Sequence, residues 1–278
     1  MKRVMVLLFG GAVLSGLAAY AAMAQPSTKV TLQAFECGRI MQNDLGRFSD
    51  TMKFKGEKRQ FIAGCFLIRH PKGLLLWDTG LTPALVGATG GPPGMALDKS
   101  IVDRLKENGI EPGAVTHVGI SHYHADHSGG AADFPNAELL IGEADLAALK
   151  AMKSDDRQVT QLANWLNGGG KLRAVKGDLD IFGDGSVTML TMPGHTPGHS
   201  ALLVELANSG AVLISGDQYH FRENRAARGV PGFNASRADT LASHDRFETI
   251  AKELKARVVI QHDPRDMAEL PGFPAALD

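Results

Sequence analysis

The chain of 278 residues is poor in several things, and each scarcity removes a class of function. It has two cysteines, Cys37 and Cys65, and neither has a CxxC partner. That excludes a disulfide-rich scaffold and gives no thiol-based zinc knuckle. It has no excess of positive charge, with 29 Lys and Arg against 30 Asp and Glu. A nucleic-acid binder needs surplus cations against phosphate, so an RNA-processing role is not expected. Beyond the first 24 residues there is no second long apolar run, no internal repeat and no low-complexity tract. A polytopic membrane protein and a solenoid are excluded on those grounds.

The first residues read as a targeting segment. Lys2 and Arg3 precede an uncharged apolar stretch from Val4 to Ala21, and Ala22-Met23-Ala24 has the small-x-small pattern of a signal-peptidase site. Residues 1–24 are therefore expected to be a cleaved signal peptide, cut after Ala24, in preference to a retained anchor. Residues 25–278 are expected to be one domain, periplasmic or secreted, without membrane contact once the signal is gone. Export permits a disulfide. The apolar, strand-like surroundings of Cys37 and Cys65 nevertheless favour buried free thiols that act as small hydrophobes.

The remainder alternates short apolar strands with helices. Strands are expected at 30–35, 61–69, 74–77, 115–121, 187–192, 201–206, 211–215 and 258–261, and helices at 98–108, 143–152 and 238–255. The β-then-α order recurs in both halves, which predicts an α/β fold of two β-layers between outer helices. The Gly/Pro stretches Thr89–Gly94 and Asn167–Gly170 read as loops. The segment 39–60 is polar with scattered Met41, Phe48, Met52 and Phe54. It reads as an insertion near the site, in which these four residues either line an apolar trough or pack the insertion onto the core.

Chemistry concentrates in Ser121-His122-Tyr123-His124-Ala125-Asp126-His127-Ser128-Gly129-Gly130, directly after a strand. Side chains two apart on extended chain point the same way, so His122 and His124 can reach one ion. Asp126 and His127 follow the turn into a helix start and can aim at a second ion. Imidazoles mixed with carboxylates suit zinc better than magnesium or calcium. Three more segments end strands with ligand-type residues: Pro193-Gly194-His195-Thr196-Pro197-Gly198-His199, Ser215-Gly216-Asp217 and Gln261-His262-Asp263.

In this order the motifs resemble the metallo-β-lactamase superfamily, over about 30–273. Glu36-Cys37-Gly38, Cys65–Gly73 and Trp77-Asp78-Thr79-Gly80 resemble its N-acyl homoserine lactonase branch. The resemblance implies a four-layer αβ/βα sandwich and two zinc ions, with iron or another divalent metal compatible with the same ligands. It assigns His122, His124 and His195 to one ion, Asp126, His127 and His262 to the other, and Asp217 to both. His199 would be structural or support the ligands, Asp78 would hold the ligand loop, and His70, His117 and His244 match no ligand position.

The implied reaction is opening of the lactone ring of N-acyl homoserine lactones (quorum quenching) by a hydroxide generated at the metals. Asp126 would orient that hydroxide and pass a proton to the leaving oxygen. One departure stands out: the branch carries a tyrosine three residues after the bridging aspartate, where this chain has His220, with Tyr219 one residue early. Either would serve as donor to the substrate carbonyl. Rival readings are a glyoxalase II-like thioesterase, with Arg222, Arg225 and Arg228 as a glutathione-binding region, and a β-lactamase. Outside hydrolysis stand an iron-binding redox protein and a non-catalytic binding module.

Overall fold

The computed structural model describes residues 29–88, 92 and 94–278. The expected signal segment, residues 1–24, lies outside the described residues, as does most of the Thr89–Gly94 loop. Among the described residues no helix is long and apolar enough to cross a membrane.

Twelve strands form two sheets. The first contains β1 (Thr31–Gln42), β2 (Arg59–His70), β3 (Gly73–Trp77), β4 (Met95–Ala96), β5 (His117–Gly119), β6 (Glu138–Gly142) and β7 (Leu172–Val175), in the order β4-β1-β2-β3-β5-β6-β7. The second contains β8 (Leu179–Asp180), β9 (Val187–Thr191), β10 (Ser200–Leu206), β11 (Gly210–Ile214) and β12 (Arg257–Val259), in the order β12-β11-β10-β9-β8. The helices are α1 (Ile101–Lys106), α2 (Ala125–Ser128), α3 (Glu143–Ala151), α4 (Arg157–Gln161), α5 (Ala163–Leu166), α6 (Arg222–Ala226), α7 (Arg237–Glu253) and α8 (Pro264–Ala268).

The sheets are covered on both faces, which is why their central strands are continuous apolar runs rather than alternating ones. Phe66, Ile68, Leu75, Trp77 and Leu140 point inward to meet Met189, Leu202, Val204, Val212 and Ile214 of the second sheet. Their strand neighbours Leu67, Leu76 and Val118 point outward against Ile101, Leu105, Leu146, Leu149 and Trp165. On the other side Leu190, Ala201 and Leu213 pack against Phe247 and Ala251 of α7. The result is the expected helix–sheet–sheet–helix sandwich.

The expected elements are present with shifted ends, and among the strands β4, β6, β7 and β8 are additional. Both ends of the supposed insertion are sheet. β1 runs on to Gln42 and β2 starts at Arg59, so the polar stretch shrinks to a hairpin end containing a short 3-10 turn, Leu45–Phe48.

The two cysteines correct the free-thiol expectation: Cys37 and Cys65 form a disulfide, with Cα atoms 5.9 Å apart. Its cause is a β-bulge. β1 and β2 pair at Glu36↔Gly64 and next at Arg39↔Ile62, so β1 carries one extra residue there. Gly38 takes φ +138° in the bulge, where a Cβ would stand 2.4 Å from Leu81. The bond closes a loop between residues 28 apart in sequence. Replacing both cysteines by serine is expected to cost about 3 kcal/mol, seen as a melting point lowered by roughly 6–12 °C. An unchanged melting point would show that the bond adds nothing to the fold.

Candidate metal centre

The site forms where strand ends from both sheets converge. β5 ends at Gly119, and the chain continues to a bend at 121–123 before α2 begins at Ala125, earlier than the sequence suggested. Across that bend His122 and His124 converge, with Nε2 and Nδ1 2.9 Å apart. The helical turn then swings Asp126 and His127 to the adjoining position.

The second sheet contributes the rest. His195 follows β9, with its Nε2 3.0 Å from His124 Nδ1. Asp217 sits in the turn after β11, and His262 follows β12, with its Nε2 3.1 Å from His127 Nε2. Seven ligand atoms thus fall into two groups, His122, His124, His195 and Asp217 in one, and Asp126, His127 and His262 in the other. The structure brings all seven sequence-derived ligand candidates together.

Asp217 lies between the groups. Its Oδ2 is 3.1 Å from His195 Nε2, and its Oδ1 is 2.9 Å from His262 Nε2 and 3.1 Å from His127 Nε2. Burial alone would raise this carboxyl. The imidazoles of His262, His127, His220 and His195 instead hold it well below the usual carboxylate range. Burial drives His122 well below the ordinary histidine value, so that ring is neutral with a lone pair to offer. A buried carboxylate ringed by imidazoles whose Nε2 atoms face one another is a donor set that fits divalent cations, zinc among them.

Three of the clustered histidines are oriented from behind through their other ring nitrogen. His127 Nδ1 donates to Asp78 Oδ2 at 2.8 Å, His195 Nδ1 to Asn234 Oδ1 at 2.8 Å, and His262 Nδ1 to the Ile62 carbonyl at 2.6 Å. Asp78 also accepts from the Ser121 amide at 2.7 Å and Gln261 Nε2 at 2.8 Å, so it joins the Ser121–Gly130 segment to the one bearing His262.

His199 supports the site without joining either group. Its Nδ1 donates to the Met192 carbonyl at 2.9 Å, and its Nε2 accepts the Asp217 amide at 2.8 Å. Burial pushes its pKa down to about 3, which keeps the accepting nitrogen unprotonated. Gly216, φ +53°, has no room for a side chain there, since a Cβ would lie 2.6 Å from His199 Nε2.

Two supporting residues were not singled out in the sequence. Asp145, buried on α3, accepts from the Gly198 amide at 2.6 Å, Thr196 Oγ1 at 2.8 Å and the Tyr123 amide at 3.3 Å. It staples the two histidine loops together, and burial pushes its carboxyl up to about 6. An acidic residue within an apolar helix face is the only sequence signal it leaves. Asn234 leaves none.

Residues 219 and 220 lie on extended chain and therefore point to opposite sides. His220 turns inward, with Nε2 3.1 Å from Asp217 Oδ2, and burial lowers its pKa to about 4. Tyr219 turns away, stacking on His244 at 4.5 Å, and lines a different cavity with Arg222, Arg225 and Arg228. The structure thus withholds the reach of Tyr219 into the site. The three arginines are also unavailable for glutathione there, because they pair with Asp266 and Glu269, with Glu248 and with Asp245 respectively. His70 and His117 lie apart from the cluster, His70 against Asp184 and Phe182 and His117 beside Glu138.

A cavity of about 350 Å³ opens over the cluster, floored by His124, Asp126, Asp217, His220 and His262. Its walls are Ile40, Phe48, Phe61, Leu81, Met95 and Phe233. Of the four apolar residues read as either lining a trough or packing the insertion, Phe48 lines the cavity and the other three do not. Phe54 packs on Phe221 at 5.1 Å, while Met41 and Met52 are 41% and 76% exposed.

The model of the metallo-beta-lactamase superfamily matches residues 60–262, a span containing all seven clustered side chains. The chain belongs to that superfamily. It is similar to the N-acyl homoserine lactonase AttM of Azorhizobium caulinodans, 33% identical over 223 residues, which are 72% of this chain and 81% of AttM. An N-acyl homoserine lactonase of a Bacillus sp is 31% identical over 220 residues, 75% of this chain and 84% of that one. A solved structure of a quorum-quenching N-acyl homoserine lactone lactonase superposes with a TM-score of 0.77 at 25% identity, covering 91% of this chain and all of the other. This superfamily member therefore stands in the lactonase-like branch and is an enzyme of the hydrolase type.

Proposed function

We propose that this enzyme opens the lactone ring of N-acyl homoserine lactones, using two zinc ions held by the seven clustered side chains. The observation that carries the reading is the placement of Asp217 between two ligand groups at the floor of an apolar-walled cavity. Divalent ions bound there would supply an acidified water and Lewis-acid polarisation of a carbonyl.

The chain's own residues do the remainder. Asp217 spans the two groups and fixes their spacing. Asp126, more open to the cavity than the buried His127, is the carboxylate able to take a proton from the attacking water. The oxygen–carbon bond to water forms, the ring carbon–oxygen bond breaks, and Asp126 returns the proton to the leaving oxygen. His220 sits where a hydrogen-bond donor serves the substrate carbonyl. Phe48, Phe61, Leu81 and Phe233 exclude water from the acyl group.

His220→Ala is expected to lower kcat by about 10–100-fold while metal content stays the same. Loss of metal on that substitution would make His220 a ligand instead.

We propose export for the same chain, with residues 1–24 as the signal and 25–278 as one domain. The Cys37–Cys65 bond supports this, since disulfides persist in oxidising compartments.

The substrate is tested by acid release from N-hexanoyl-homoserine lactone, a glutathione thioester and a penicillin, presented to zinc-loaded enzyme. The lactone should be turned over fastest. Preference for the thioester or the β-lactam would transfer the function to that class.

A further inference from the structure

Resting on the lactone reading, the chemistry of the cavity mouth narrows the substrate class. Arg47 and Arg157 both line the cavity and both are exposed, whereas Asp217 and His262 at the floor are buried and His124 and Asp126 are half-buried. Depth therefore runs from the metal cluster, past apolar walls, to two guanidinium groups.

Neither arginine has a carboxylate within 4.0 Å among the described residues. Nine others do, Arg39, Arg59, Arg173, Arg222, Arg225, Arg228, Arg237, Arg246 and Arg265, and of the remaining described arginines without one, Arg69, Arg104 and Arg257, none lines this cavity. The contrast is sharpest with the second cavity, of about 620 Å³, where Arg222, Arg225 and Arg228 are all neutralised by partners on the chain.

The two groups are also mounted on fixed elements. The Arg47 guanidinium lies over the Phe233 ring, 4.7 Å from its centroid, and 5.7 Å from that of Phe48. Its backbone is held where the Gly232 amide donates to the Arg47 carbonyl at 3.0 Å and Asn224 Nδ2 donates to the Phe48 carbonyl at 2.9 Å. Arg157 begins α4, which is tied to the ligand helix α2 by the Ser128 hydroxyl donating to Gln161 Oε1 at 3.0 Å. Motion of either arginine is thus limited to its own side chain.

We propose that Arg47 and Arg157 are specificity residues for an acyl group ending in a carboxylate. The lactone lies at the metals, the methylene chain against Phe48 and Phe233, and the distal carboxylate at the mouth. A guanidinium matches a carboxylate with two parallel hydrogen bonds, so a distal carboxylate gives these arginines the partner the chain does not supply.

Two lactones of equal acyl length test this: N-hexanoyl-homoserine lactone and N-(5-carboxypentanoyl)-homoserine lactone, on metal-loaded full chain. The expected result is a KM about tenfold lower for the carboxylated substrate, an advantage that shrinks as salt is added. In Arg47→Gln/Arg157→Gln the ratio of the two KM values should fall to about one. Isothermal calorimetry with the two ring-opened products, on the same metal-loaded protein, reads the preference without turnover. Equal or weaker performance of the carboxylated compounds, or a preference that survives both substitutions, overturns the proposal. If neither lactone opens but the carboxylated product binds more tightly and needs the arginines, the lactone reading fails and the anion preference stands. If the hexanoyl lactone opens and the carboxylated one gains nothing, the reverse holds.

Discussion

Asp217→Asn should abolish lactone opening, by roughly 10³-fold or more in kcat/KM, while leaving the fold intact. The carboxylate is the one side chain within 3.1 Å of imidazoles from both ligand groups, His195 on one side and His127 and His262 on the other. An amide of the same shape keeps the packing and removes the negative charge that two adjacent cations would need between them. The substitution also separates the supporting contacts from the bridging one, because the Asp217 main-chain amide that donates to His199 is retained. Steady-state kinetics on protein of measured metal content checks this. An Asn variant within tenfold of the parent enzyme would mean that the two groups do not act together.

Asp78→Ala should lower metal affinity by about 10–100-fold and stability by roughly 3 kcal/mol, although Asp78 is not one of the clustered ligands. Asp78 is fully buried, and its backbone holds a left-handed φ of 54°. Its two oxygens accept from the Ser121 amide and hydroxyl, His127 Nδ1 and Gln261 Nε2, at 2.7–2.8 Å. Alanine leaves each of these donors buried without that acceptor and frees the His127 ring to turn. Competition with a chelator measures the affinity, and a denaturation curve on metal-free protein measures the stability. If metal-free protein loses stability while affinity is kept, Asp78 serves the fold alone.

The seven side chains that cluster were legible in the sequence because they follow strands as motifs resembling the superfamily's, where a polar residue after an apolar run has few structural uses. His122 and His124 pair across a bend rather than on extended chain, and Tyr219 and His220 turn to opposite sides once the backbone is known. Tyr219 was ambiguous beforehand because the turn at 216–218 sets which residue faces in. The two-sheet layering was legible from the order of strands and helices. β6 was not, because Glu138–Gly142 is short and runs directly into α3. The disulfide depended on a one-residue bulge, which shifts register without changing composition. The cavity wall was misplaced for a similar reason: Leu81, Met95 and Phe233 come from three separate loops and strand ends, whereas Met41 and Met52 face solvent. Asp145 and Asn234 act through loops distant in sequence, so only the folded chain shows their partners.

The central claim, that two metal ions in this cluster open a lactone, is tested most directly by titrating zinc into chelator-stripped enzyme while following acid release from N-hexanoyl-homoserine lactone. The expected result is no turnover without metal and a rise that levels off at two equivalents per chain. Turnover that is indifferent to chelation, or a fully loaded enzyme that leaves the lactone closed, would contradict it.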